Sequence, residues 1–430
     1  MTSRASVITS AALCLAGYAW VYATGVVDLP IRSDGFSYYV YLPSWFLFGD
    51  TTLAAVARDC CGGEFPQFTA IIRWPGTRRW VNAHPIGVAI MQSPLFAIAH
   101  LLTRWTNLSP DGFSLYYQHA IGLAGAGWVV AGLAMLRRVL LRSFSDRVTA
   151  VTLLAVLLGT NLYHYGTFDS SYSHPYSFFL FAAFMWFTAR WHEEPTRRTS
   201  VLLGIVSGLL VLVRHTNILF TAVFVLYGLG AGEGISSRIA TLLRERKQVA
   251  TIMAVAGLVI APQLLIYYQA TGHVLVSSYG ELGFNWTSPQ IAEILFGVRK
   301  GLFFWSPLLL IAVAGMVLLA RSSRPAAAFV VPGALFLTVH TYLIASWWDW
   351  QFGGSYGHRG FVDALPLFAL GLATAFDRAS QSASLRVSLG VVVPAMVALS
   401  LFQMLQYWYG IIPFSDTTWT QYRELFLQWR

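Results

Sequence analysis

Residues 5–27 read ASVITSAALCLAGYAWVYATGVV, and after a short break residues 33–39 read Ser33-Asp34-Gly35-Phe36-Ser37-Tyr38-Tyr39. The first stretch carries no charge and is longer than the 7–15-residue core of a cleaved signal peptide, so it predicts a retained membrane helix. The second opens a polar segment that runs to about residue 82. A carboxylate at the outer mouth of a helical bundle can take a proton from an incoming hydroxyl while a lipid-borne substrate waits at the same depth. Asp34 has that position, which favours an enzyme over a channel.

The composition agrees with a membrane setting. Hydrophobic residues make up 56% of the 430-residue chain and charged residues 11%, against about 25% charged in soluble domains. Mean hydropathy is +0.58. The net charge of +9 does not signal nucleic acid, because the basic residues sit in short loops: Arg137-Arg138, Arg197-Arg198, Arg244 to Lys247 and Arg321 to Arg324. Short basic loops between apolar spans follow the positive-inside rule. Of three cysteines, Cys14 lies in the first span and Cys60-Cys61 are adjacent. Neighbouring cysteines rarely bridge each other, so the expectation is unpaired thiols, with a strained vicinal disulfide or a contact with another chain as the alternatives.

Charge asymmetry sets the expected topology. Arg4 places the N-terminus in the cytoplasm, the first span emerges near Asp28, and 28–115 forms an external loop. The segment 84–103 starts His84-Pro85 and carries Gln92, Pro94 and His100. It is therefore expected to lie on the outer leaflet as an amphipathic helix. Spans near 116–136, 148–166, 175–190, 199–213, 216–232, 249–268, 302–320, 326–346, 361–377 and 385–408 then alternate. With the first, these make about eleven transmembrane helices of roughly 20 residues. The expected fold class is an all-α polytopic membrane protein with juxtamembrane helices in the first external loop. It forms a single domain over 1–430, with no soluble C-terminal domain.

Charge at membrane depth is costly, about 2.5–3.5 kcal/mol at mid-helix, so the remaining ionisable groups mark candidate chemistry. Asp169 follows a span that ends outside and faces the same mouth as Asp34. There it could share the work of a base, hold an acceptor, bind a metal, or simply cap the next helix. Arg214, in a tight outer turn, can pair bidentately with phosphate or snorkel to the interface. The loop 346–359 mixes Trp348, glycines, His358 and Arg359. Tryptophan faces can stack on sugar rings, glycines admit a ligand close to the backbone, and Arg359 can neutralise phosphate. Lys300 and Arg299 are further phosphate contacts or plain interfacial anchors, and Glu281 reads as part of a solvated loop before it reads as a substrate contact. His84, His164 and His174 are not spaced as a metal site. No nucleotide-binding loop or dinucleotide fingerprint occurs.

Four pieces carry a family resemblance. They are Asp34-Gly35 with Tyr38-Tyr39 after the first span; His84-Pro85-Ile86-Gly87 opening a juxtamembrane helix; Asp169 in the second external loop; and Leu203-Gly204…Gly208-Leu209…Arg214 leading out of a later helix. Together they resemble the GT-C superfamily of integral-membrane glycosyltransferases, and within it the protein O-mannosyltransferase and aminoarabinose-transferase branch. The resemblance implies Asp34 as catalytic base with Asp169 beside it. It implies a polyprenyl-phosphate sugar donor. On the reading of the residues above, Arg214, Arg359 and Lys300 are the expected contacts to the donor phosphate, and Tyr38, Tyr39, His84, His174, Trp348 and His358 the expected contacts to substrate. The implied reaction is inverting transfer to an acceptor hydroxyl on the outer face of a bacterial inner membrane, with membrane lipid around it and no obligatory cofactor or metal. The family often has a second acidic residue directly after the first; Gly35 stands there instead, which leaves any metal role of such a pair unsupported. A transporter or flippase of lipid-linked sugars would share the lipid cleft and outer arginines but would not need Asp34 as a base.

Overall fold

The computed structural model describes residues 1–67, 69–276 and 282–428. The first span forms α1 (Ser3–Ala23), opened by Thr2, whose hydroxyl accepts from the Ala5 amide at 3.2 Å. The chain then leaves the bundle in short pieces: α2 (Asp34–Tyr39), α3 (Tyr41–Phe46), α4 (Ala54–Cys61) and an antiparallel hairpin of β1 (Ile71–Arg73) and β2 (Trp80–Asn82), with Ile72 opposite Val81. Aromatic packing holds this loop together. Tyr39, Tyr41, Phe65 and Trp80 are buried with Phe96 of α5 (Gly87–Arg104) and Tyr117 of α6 (Leu115–Leu140). Cys60 and Cys61, expected as free thiols, are instead joined to each other at the end of α4, where their Cα atoms lie 3.8 Å apart; Cys14 is free and buried.

The bundle continues with α7 (Asp146–Leu158), α8 (Leu162–Thr167), α9 (His174–Glu193), α10 (Arg197–Val213), α11 (Thr221–Val225), α12 (Ile235–Arg244) and α13 (Arg246–Thr271). It closes with α14 (Ile291–Phe296), α15 (Leu302–Trp305), α16 (Leu308–Ala320), α17 (Val330–Ser346), α18 (Leu365–Gln381), α19 (Ala383–Trp408) and α20 (Trp419–Leu425). Basic residues gather at one end. Arg137 donates to the Ser3 hydroxyl, Arg142 pairs with Glu193, and Arg324 pairs with Asp377 at 2.6 Å, joining the start of α1 to the ends of α6, α9 and α18. The core lies around α6, α7, α9 and α18, where Leu133, Leu153, Phe181 and Leu370 are fully buried. By contrast α13 and α19 leave most of their apolar surface open, the pattern of lipid-facing helices.

Among the described residues six helices are long and apolar enough to cross a membrane: α1, α6, α13, Pro325–Ser346, Arg359–Gln381 and α19. Six is fewer than the expected eleven or so, and several shortfalls have local causes. The 148–166 span breaks at Gly159-Thr160-Asn161 into α7 and α8, and the 302–320 span breaks at Ser306-Pro307. The 216–232 span is a 3₁₀ turn, His215–Phe220, followed by the five-residue α11. Helix α10 has only 17 residues. The segment expected on the outer leaflet is α5, with Pro94 inside it.

Candidate functional site

The end of the bundle opposite the basic loops carries three carboxylate–guanidinium pairs. Asp34 stands in the first turn of α2, and its Oδ2 accepts from Arg359 Nη1 at 2.6 Å. Asp169 follows α8. Its Oδ1 accepts from Arg32 Nη2 at 2.7 Å and its Oδ2 lies 2.8 Å from His164 Nε2. Asp363 sits just ahead of α18, with Oδ2 accepting from Arg214 Nη1 at 2.9 Å and Oδ1 3.0 Å from His174 Nδ1. Trp408 Nε1, which can only donate, reaches His164 Nδ1 at 2.8 Å. That leaves His164 Nε2 to carry the proton toward Asp169.

Two close approaches build this mouth. A Cβ on Gly35 would overlap the Ser171 hydroxyl, so glycine lets α2 lie directly on the turn after Asp169, where Ser171 Oγ donates to the Pro30 carbonyl at 2.7 Å. A Cβ on Gly87 would strike the Leu212–Val213 backbone. Glycine there seats the start of α5 against the end of α10 and brings His84 beside Arg214. The Tyr38 ring lies 4.2 Å from the His84 ring. Phe352 stands under both Arg214 and Arg359, at 5.7 and 5.8 Å, and Tyr172 lies 5.6 Å from Arg359.

The electrostatics follow from these partners. Burial alone raises the Asp34 carboxyl, but Arg359 and then His84 together outweigh it, and the net shift is downward. For Asp169 burial is again opposed by Arg32 and His164, and the carboxyl lies well below its ordinary range. Burial pushes His84 down to about 4, so it is neutral at pH 7 with its Nδ1 buried and unpartnered.

Of the sequence-derived candidates, the structure brings Asp34, Tyr38, His84, Asp169, His174, Arg214 and Arg359 to this one end. The others have different surroundings. Tyr39 is fully buried and its hydroxyl donates to the Gly112 carbonyl. Lys300 is buried, its Nζ donating to the carbonyls of Ser355 and, at 2.7 Å, Phe414, so the side chain fastens two loops to each other. Burial, then Arg359, pushes it down to about 7. Arg299 pairs with Asp416 at 3.1 Å. His358 is buried with Nε2 on the Trp350 carbonyl at 3.0 Å. Trp348 is exposed, its amide donating to the Gly283 carbonyl at 3.1 Å. Glu281 lies outside the described residues. Two partners escaped the sequence reading. Arg32 lies in the break just before the decisive Ser33–Tyr39 stretch, two residues before Asp34, and Asp363 is a charge at the head of an apolar span, which the cost of burying charge should have flagged. Among the described residues no three His, Cys, Asp or Glu side chains converge as a metal site.

No protein-family model matches the chain, and no curated sequence matches it. Similar solved structures include two oligosaccharyltransferases. The archaeal oligosaccharyltransferase AglB from Archaeoglobus fulgidus, in complex with an inhibitory peptide and a dolichol-phosphate, matches at 10% identity with a TM-score of 0.53. The oligosaccharyltransferase of the same organism in the apo form matches at 12% identity with a TM-score of 0.51. Both alignments cover 95% of this chain and 55% of the other, so the chain spans about half the length of those proteins. The likeness is one of fold alone and assigns the chain to no family.

Proposed function

We propose that the chain is a membrane glycosyltransferase of GT-C type. It moves a sugar from a polyprenyl-phosphate donor to an acceptor hydroxyl, with inversion, at the outer face of a bacterial inner membrane. The observation that carries the reading is the Asp34–Arg359 pair at 2.6 Å, with Arg214 across Phe352. A base and two phosphate-binding groups thereby share one mouth. The fold-level likeness to an oligosaccharyltransferase solved with a dolichol-phosphate supports a lipid-phosphate donor.

In this mechanism the donor phosphate takes over guanidinium hydrogen bonds that the carboxylates accept in this structure. Once Arg359 turns to phosphate, Asp34 loses its strongest cationic partner and becomes a better base. The acceptor hydroxyl loses its proton to Asp34 as its oxygen attacks the anomeric carbon from the face opposite the phosphate. The sugar–oxygen bond breaks with its electron pair going to the lipid phosphate, whose charge Arg359 and Arg214 balance. Asp169, held by Arg32 and His164, acts as a positioning residue. Transporters usually bind near the midplane between related halves, whereas these groups lie at one end of the bundle.

The test is Asp34→Asn in lipid-reconstituted protein given a series of polyprenyl-phosphate sugars. Donor binding should persist while transfer falls by about 10²–10⁴-fold. Unchanged transfer removes Asp34 from its role, and transport without transfer replaces the enzyme reading with the flippase one.

A further inference from the structure

The opposite end of the molecule carries a second feature that the transfer chemistry does not use. Helix α9 runs from His174, on Asp363 at the mouth, to His192, whose Nδ1 hydrogen-bonds Arg238 Nη1 of α12 at 3.1 Å. Its twenty residues, at about 1.5 Å rise each, span about 30 Å, the thickness of a bilayer core. Helix α12 therefore lies about one bilayer-core thickness from the mouth, beside the basic loops.

One side of α12 is anchored. Arg238 is buried between Glu233 and His192, and Leu242 packs on the core. The stripe formed by Ile235, Ile239 and Leu243, spaced four apart, is open at 61%, 53% and 66% exposure. At its C-terminal end Arg244, Arg246 and Lys247 are exposed, and among the described residues Arg244 is the one of the three in an ion pair, with Glu245 at 3.2 Å. The elbow from Leu243 to Gln248 lines an open concavity of about 480 Å³. Directly after it α13 enters the bilayer with most of its surface apolar and uncovered. An amphipathic helix with apolar side chains outward and cations at its edge, next to a lipid-facing span, matches the interface of an anionic bilayer.

We propose that the α12–α13 elbow is a binding site for anionic phospholipid. The headgroup phosphate lies among Arg244, Arg246 and Lys247, and the acyl region lies over Ile235, Ile239 and Leu243. The proposal is independent of the transfer reaction at the far end.

The experiment uses the full chain purified in a neutral maltoside detergent, with thermal unfolding followed as lipid is added. Phosphatidylglycerol should raise the midpoint by ~3 °C, and phosphatidylcholine at the same concentration should not. The Arg244→Gln/Arg246→Gln/Lys247→Gln variant should keep its midpoint in detergent alone and bind phosphatidylglycerol roughly a hundredfold more weakly, at about fivefold per cation. Ile239→Ser should also weaken the response. An equal response to both lipids, or a full response in the triple variant, overturns the proposal. A matching shift with inorganic phosphate alone overturns it too, because the site would then serve a soluble anion.

Discussion

Replacing Arg359 by Gln removes the partner that holds the Asp34 carboxyl below its usual range, and leaves the burial that pushes it up. Here Asp34 is 25% and Arg359 15% exposed, so solvent screens part of the interaction without reversing its direction. The sign is fixed: a base must be ionised to act, so at donor concentrations well below saturation, where Arg359 still faces Asp34, the acid limb of the transfer rate moves to higher pH in the variant. The same arginine is assigned to the donor phosphate, and losing a charge-assisted bond worth about 1.5–3 kcal/mol weakens donor binding roughly 10–150-fold. The assay is the rate of sugar transfer by nanodisc-reconstituted protein from pH 4 to 9, with donor affinity measured separately. An acid limb that stays in place, together with unchanged donor affinity, refutes both the contact and the mechanism built on it.

Gly35→Ala should destabilise the protein by about 1–3 kcal/mol through overlap with the Ser171 hydroxyl, and Ser171→Gly should restore much of the loss in a thermal melt. Trp408→Phe deprives His164 Nδ1 of its donor; transfer should slow while donor affinity stays near wild type, and a large loss of donor affinity would contradict the positioning role of Asp169. Asp34 has its carboxyl depressed in the folded state, so its contribution to stability is present above about pH 4 and disappears as pH falls through the folded value. Asp34→Asn should flatten that acid limb of the melting curve. Lys300, pushed down to about 7, leaves the unfolded chain binding more protons between about pH 7 and 10, so stability should rise across that interval and Lys300→Met should abolish the rise.

The sequence made the membrane class and Asp34 readable because both depend on local pattern: an apolar run, then a carboxylate where the chain leaves it. The partners of that carboxylate were harder to see. Arg359 lies 325 residues away, and only folding joins α2 to the head of α18. Asp363 was absorbed into an apolar span by average hydropathy, although its contacts with Arg214 and His174 are the reason a charge can stay there. Lys300 looked like a phosphate ligand because a loop lysine is normally exposed, but its Nζ donates to two backbone carbonyls. The broken spans at Gly159–Asn161 and Ser306-Pro307 were missed because hydropathy windows average across short interruptions.

The mouth sets three acids against three arginines, so its field largely cancels at a distance. Long-range steering draws oppositely charged ligands quickly and fades in salt. Here an anionic lipid is expected to find the opening by sideways diffusion within the leaflet, and its arrival rate should hardly respond to ionic strength.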